Sequence, residues 1–546
     1  MKRSILAASI GIGLFTIMTA CNSDNGEVEN IQKESKDIQV HLDFADFGDD
    51  EEVEGTRSIQ TEEPVQKQIV NLGNRLYAEV AVQRDTVKAA KPATRSMVNG
   101  KYTIVAYQGN TIKDEIKGTV TGNKFTPETG TRDKLNLPHG TYTLVCFNDK
   151  VALSSGKYVI SRANAADAFI GVRKNFVVNT DTPLKVSFTM NHVGARVRVR
   201  LFAFQRNLPG VTSVFSDAGG DTPTAVEYNP LTDDYNTING SFTTGTSTYP
   251  STFYTPAWSF TSPDYQYFLP NTDGSKLKIT FKSGTVYNHP MTGASLVLKP
   301  SPTLKMAENG SYLITVRLMY NFLYLFSDGT RGFFNETTYG GAPVATAKTP
   351  VGIVISQNKR LAVALKDAAS LTTWALSSFT GYTQFNKTVY PSMNAALVAE
   401  NGESETWEAN TSADNTTVKG SENTKFPAFW AAAHYNPGEP LTGGLVGKRW
   451  YLPAYGEFKY FFKELGVDNR SITVAQQYND WNGELATEAF RQVGGYLPSG
   501  CQTSTELKVP YNPFFNVGVV GASTYAMTWA WEYHSSTHYV RSFIHY

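Results

Sequence analysis

The sequence predicts a mainly β protein of several domains: two β-sandwiches followed by an α+β domain. Three observations lead there. At 546 residues the chain is too long for one hydrophobic core. Its 29 Tyr, 31 Phe and 44 Gly, set among many Thr, Ser and Asn, favour strands and tight turns over helices. Short segments throughout alternate apolar with polar residues, the period of a half-buried strand. The net charge of +0 gives no basic footprint and excludes a nucleic-acid partner. The 3 cysteines, Cys21, Cys146 and Cys501, lie far apart, so no disulfide is expected.

The chain opens with Lys2 and Arg3, then an apolar run over 5–18, then Thr19-Ala20-Cys21. A membrane-spanning helix needs about 20 apolar residues, so this run is too short and reads as a signal peptide, residues 1–20. No later apolar run reaches membrane length. Residues 21–36 are polar and read as a flexible tether. Ile38, Val40, Leu42 and Phe44 alternate with polar residues and predict a first strand over 38–47. An acidic stretch over 49–54 follows and ends at Thr56-Arg57-Ser58, a basic residue in an exposed loop and so a protease site. Leu76, Ala78, Val80 and Val82 give a second alternating strand. It leads to a second copy of that tripeptide, Thr94-Arg95-Ser96.

Strands are expected at 102–107, 140–145 and 195–201. Arg196, Arg198 and Arg200 share one face of the last of these and read as a solvated row rather than an anion site. Residues 209–250 read as long loops, with strands returning at 276–281 and 312–318. A Gly/Thr/Pro-rich join over 332–350 marks a boundary. The predicted division is a first sandwich over 37–187, a second over 188–331 and a last domain over 345–546. In the last domain, buried strands are expected at 351–355 and 361–365, a short helix at 426–433, and a helix opening at Trp450. A closing hairpin is expected from 525–531 and 538–544.

Cys21 at the end of the apolar run resembles a bacterial lipobox, which implies acylation at Cys21 and anchoring in outer-membrane lipid. Up to about residue 330, several features together resemble the fimbrillin family, the subunits of type V pili. They are the lipobox, the strand followed by an arginine loop, residues 101–107, the Gly140-Thr141-Tyr142-Thr143 turn and strand, and residues 190–200. The resemblance implies two transthyretin-like β-sandwiches. It also implies cleavage after an arginine, loss of the first strand, and strand donation by another pilus subunit. The cut is matched by Arg57, with Arg95 as the alternative. Removing a strand exposes unpaired backbone and an apolar slot, which an incoming strand satisfies.

The last domain resembles a C-type-lectin-like module of surface lipoproteins, through residues 351–354, 364–367, 450–453 and 539–543. Stalk subunits of the family end in a donor strand, whereas this sequence ends inside that module. The resemblance therefore implies a tip subunit at the cell surface that presents an adhesive domain to a host or bacterial glycan or protein. The alternative is a cell-surface glycan-binding lipoprotein that does not polymerise.

Four residues are candidate ligand contacts: Trp481 and Asn482, within an Asp-Trp-Asn-Gly-Glu stretch, and Trp529 and Trp531, which share a strand face. Calcium needs six to eight oxygens, and the companion acidic loop is lacking, so 480–484 reads as a loop anchored by a buried tryptophan. Trp529 and Trp531 serve either as core or as a sugar-stacking platform. His534 and His538 lack further ligands for zinc. No metal, no cofactor and no enzymatic motif are expected.

Overall fold

The computed structural model describes residues 38–48, 68–85, 99–122, 124–130, 134–179, 184–205, 207–250, 259–300, 303–376 and 381–546. The expected signal peptide, tether, Cys21, Arg57 and Arg95 lie outside them. The structure is mainly β, as the sequence predicts. The strands β1 (Ile38–Phe44), β2 (Gln68–Gly73), β3 (Leu76–Arg84), β4 (Gly100–Gln108), β5 (Thr111–Thr121) and β6 (Lys124–Pro127) come first. They are followed by β7 (Gly140–Asn148), β8 (Ala152–Ser154), β9 (Lys157–Ser161), β10 (Phe169–Val178), β11 (Leu184–His192) and β12 (Ala195–Phe202).

The first unit is a barrel in the order β1-β11-β10-β7-β4-β5-β6, closed where β6 meets β1. β4 and β7 are apolar on both faces because both of their faces are covered. Tyr102, Ile104, Tyr142, Leu144 and Cys146 fill one core together with Leu42, Val186, Phe188 and Met190. Val105, Tyr107, Val145 and Phe147 face a second core, against Tyr158 and Ile160 of β9 and Val226 and Tyr228. That outer layer is a sheet of Asp234–Gly240, Thr222–Asn229, β9 and β8. Cys146 and Cys501 are free and buried, in accord with the expectation of no disulfide between them.

The second unit pairs two sheets. One has the order Ser259–Thr261, β12, Ser311–Tyr320, β3, β2, and the other is built on Thr212–Asp217 and Leu277–Ser283. Three expectations need correction here. The strands β2 and β3 sit in this second unit, not in the first, so 37–187 is not one unit. Alternation located β3 but could not say which sheet its apolar face would meet. The boundary at 188 cuts β11. The chain instead passes between units at Val193-Gly194, where a Cβ on Gly194 would lie 2.0 Å from the Ala165 carbonyl oxygen. Residues 209–250, expected as loops, contain the strands Thr212–Asp217, Thr222–Asn229 and Asp234–Gly240. Ser213 and Thr222 in them are buried while Ile238 is exposed, so polarity does not track the strand period there.

The last unit has one sheet in the order Arg331–Gly332, Tyr324–Phe326, Pro350–Ser356, Leu361–Ala364, Phe543–His545, Trp450–Tyr451. A second sheet runs Ala369–Thr373, Thr537–Val540, Gly500–Leu507, Asn516–Ala522, Met527–Tyr533. This unit begins before the expected join, because Tyr324–Phe326 already pairs with Pro350–Ser356. The helix expected from Trp450 starts at Phe458, as Phe458–Leu465. Trp450–Tyr451 is a strand pairing with Ile544 and Phe543, and Pro453 ends it. The expected closing hairpin is absent: Met527–Tyr533 pairs with Asn516–Ala522, while Thr537–Val540 pairs with Ala369–Thr373. The helix Pro427–Ala433 forms as expected. One core runs from the second unit into the last, joining Tyr320, Phe322 and Tyr324 to Phe458, Phe462 and Trp529. Tyr324 Oη donates to the Ala489 carbonyl at 2.7 Å, and Arg75 pairs with Glu464 at 2.8 Å.

Glu457 is buried in this last unit, 2.8 Å from Tyr451 Oη and accepting from the Ala454 N–H at 2.6 Å. Burial raises its carboxyl from 4.5 to about 7. The folded chain therefore favours the neutral acid. The corresponding stability is complete below pH 4.5 and lost as pH rises towards 7. We predict that Glu457→Gln, which keeps the neutral shape, gains on the parent by up to ~3 kcal/mol between pH 4.5 and 8, read by denaturant melts. A difference that does not change with pH would refute this.

Candidate functional site: the slot of the first strand

The residues 38–48 lie in the first unit as an insert. β1 runs parallel to β11 in seven consecutive register pairs, from Ile38 against Leu184 to Phe44 against Met190. On its other side it meets β6 at a single pair, His41 against Lys124. A cavity of about 340 Å³ opens along that weak side, lined by Val40, Ile116, Phe125 and Leu135 among others. The alternation predicted for β1 is borne out. Leu42 is 0% exposed inside the barrel, and Val40 and Phe44 pack half-buried beside it. The Phe44 ring stands edge-on to Tyr102 at 6.0 Å and to Phe169 at 5.4 Å.

Beyond Phe44 the segment leaves the barrel and docks at the junction with the second unit. The Ala45 N–H donates to the Met190 carbonyl at 3.1 Å, and the Gly48 N–H to the Asn309 carbonyl at 2.7 Å. Asn309 Nδ2 donates to the Asp46 carbonyl at 3.0 Å. The Phe47 ring stacks on His192, centroids 3.7 Å apart and planes 16° from parallel. Burial, with Arg196 nearby, lowers the imidazole of His192 to about 4.

The arginine row reads differently in three dimensions. Arg198 holds Asp85 in two contacts of 2.6 and 2.8 Å, with the Asp85 carboxylate fully buried. Arg196 donates from Nε to Ser311 Oγ at 2.9 Å and lies over Phe47 and Tyr265. Arg200 donates to Thr261 Oγ1 at 3.1 Å. The row is neither a solvated face nor a vacant anion site. It ties down both N-terminal segments, β1 through Phe47 and β3 through Asp85. Sequence reasoning missed His192, Asn309 and this use of the arginines. No spacing rule links residue 47 to residues 192 and 309.

β3 is held far more firmly than β1. It lies between β2 and Ser311–Tyr320, with nine register pairs to the latter. Leu76, Ala78 and Val80 are buried in the core shared with the last unit.

The candidate ligand contacts split into two groups. Trp481 is buried, its indole N–H donating to the Phe462 carbonyl at 3.3 Å. Asn482 Nδ2 donates to the Gly466 carbonyl at 3.0 Å, and Asp480 pairs with Arg470 at 2.7 Å. Both Trp481 and Asn482 nonetheless border a cleft of about 250 Å³ between the second and last units, with Asn207, Asn288, Thr524 and the exposed Tyr525. Trp529 is core, edge-on to Tyr455 at 4.9 Å. Trp531 is half-buried on the same strand and packs against that core. Among the described residues, no group of His, Cys, Asp and Glu is placed to hold a metal. No helix among them is long and apolar enough to cross a membrane.

A cluster of buried charges lies elsewhere in the last unit. Glu506 accepts from the N–H groups of Phe385 and Asn386 and lies 3.0 Å from His534 Nε2. Burial raises the nearby Glu405 carboxyl and lowers the Lys419 ammonium. All four side chains are in residues no more than 1% exposed, so a substrate has no access to them.

No protein-family model matches the chain. No curated protein sequence matches it. Among solved structures, the chain is similar to a candidate cell adhesion protein from Bacteroides ovatus, at 12% identity over 52% of this chain and 92% of that one, TM-score 0.31. A candidate cell adhesion protein from Bacteroides uniformis aligns at 16% identity over 46% and 93%, TM-score 0.29. A fimbrial protein from Bacteroides vulgatus aligns at 13% over 40% and 88%, TM-score 0.26. Likenesses this slight carry no inference about what the chain does.

Proposed function

We propose that the chain is a cell-surface adhesion subunit of the fimbrillin type, whose first strand is a temporary occupant of its slot. The observation that carries this reading is the asymmetry of β1: seven register pairs on one side, one pair and a cavity on the other. A strand paired along one edge can leave without breaking the rest of the barrel. Its departure opens an apolar slot and a row of unpaired backbone groups along β11, which a strand from another pilus subunit would satisfy. In this reading Cys21 is acylated and holds the exported precursor in the outer membrane, and cleavage after Arg57 frees β1. The firm seat of β3 argues for Arg57 over Arg95, since a cut after Arg95 would have to extract a core strand as well. The tip position belongs to the same reading; Phe543–His545 is paired on both sides and so is not itself a donor strand. The adhesive role falls to the last unit, with the cleft beside Trp481 and Asn482 as the contact region for a glycan or protein.

Limited digestion of the purified precursor with an arginine-specific protease tests this. The expected product starts at Ser58, sheds residues up to 57 and captures an isolated stalk subunit in a one-to-one complex on size-exclusion chromatography. A trimmed product that stays folded yet ignores stalk subunits would favour the glycan-binding lipoprotein that does not polymerise.

A further inference from the structure

The slot's far end carries information that its apolar floor does not. The floor accepts apolar side chains at alternate positions, those of Val40, Leu42 and Phe44, and many strands share that pattern. The junction beyond it is more exacting. Asn309 is fully buried and grips the backbone on both sides of residue 47, accepting from the Gly48 N–H at 2.7 Å and donating to the Asp46 carbonyl at 3.0 Å. Its own N–H donates to the His192 carbonyl at 2.9 Å, so grip and imidazole move together. Gly48 sits at φ +84°, a left-handed conformation that favours glycine. Between the two gripped residues, the Phe47 ring lies flat on His192 and 5.2 Å from the Arg196 guanidinium. The other neighbours of this pocket are themselves aromatic: Phe169 lies 4.2 Å from His192, and Tyr265 lies 4.4 Å from Arg196. A flat π-face suits both walls, because imidazole and guanidinium each stack on one.

We propose that His192, Arg196 and Asn309 form a specificity cradle, and that the partner strand entering the slot must carry an aromatic residue followed by glycine, three and four positions after the residue that takes the place of Phe44. The proposal rests on the reading of β1 as a replaceable strand. The partner is thus an extended segment of another chain. It enters parallel to β11, with apolar residues at three alternate positions, two residues of any kind, then an aromatic and a glycine. The outgoing segment supplies the imprint, since residues 38–48 fill the cradle before any exchange.

The test uses the full chain with one specific protease site inserted within residues 49–67. After nicking, the chain still holds its own first strand and is challenged with fluorescent peptides of residues 37–48. Uptake is followed by anisotropy. The parent peptide is expected to exchange in, and the Phe47→Ala peptide to bind about tenfold more weakly. In a His192→Ala chain the two peptides should differ by less than threefold. Equal uptake of both peptides by the unaltered nicked chain would overturn the cradle while leaving the replaceable strand intact. If neither peptide enters, even after the nicked strand has been stripped with denaturant and the barrel refolded, the strand-replacement reading falls and the cradle with it. Because the decisive comparison alters only the peptide, it does not depend on any variant protein folding.

Discussion

Leu42→Asp is expected to expel the first strand from the barrel while leaving the other two units folded. Leu42 is 0% exposed and sits among Val186, Phe188 and Met190. A carboxylate there would lie in an apolar cavity with no partner, a cost of several kcal/mol on top of the lost transfer free energy of the leucine. The seven-residue ladder to β11 cannot absorb that cost. The expected result is fast hydrogen exchange confined to the amides of β11 and β6, new binding of an apolar dye, and unchanged exchange in the last unit. The same change at Leu76, in β3, should instead unfold the second and last units, because that residue lies in the core they share. If Leu42→Asp left β11 as protected as in the parent, β1 would not be held by its apolar face, and the slot would lose its physical basis.

Glu506→Ala is expected to cost ~2–5 kcal/mol, because each buried donor left without its acceptor costs ~1–3 kcal/mol. The substitution strands the Phe385 and Asn386 N–H groups, removes the partner of His534 and leaves Lys419 with less compensating charge. Trp374 reports on it directly, stacked on His534 at 4.8 Å with its indole N–H on the Thr503 carbonyl at 2.9 Å. Denaturant titration followed by tryptophan fluorescence measures the loss. A cost below about 1 kcal/mol would mean that the cluster is not the polar core of this unit.

The two cases show what a single sequence reveals. β1 was legible because one face is buried and the other wet, which leaves the period-two signature intact in Ile38, Val40, Leu42 and Phe44. Strand Gly500–Leu507 was illegible for the opposite reason. Its Gln502, Thr503, Ser504, Thr505 and Glu506 are all fully buried, so a run that reads as surface is interior. Some of its partners lie more than a hundred positions away, such as Asn386, which donates to the Ser504 carbonyl. Asp480-Trp481-Asn482 was readable as a loop pinned by a buried ring, and its contacts with Phe462 and Gly466 are of that kind. The bordering cleft was not readable, because half of its wall comes from the second unit. The arginine row was seen, but its partners Asp85, Ser311 and Thr261 come from three separate strands or their ends, and only the folded topology brings them together.

The core that passes without interruption from the second unit into the last has a mechanical consequence. A load pulling on the distal domain meets no hinge there. Tyr324 and Arg75 link the last unit to the second, whose first sheet contains β12, and β12 continues from β11 beside β1. If the chain joins a fibre as proposed, a pull on the last unit would therefore be passed on to the neighbourhood of the first strand.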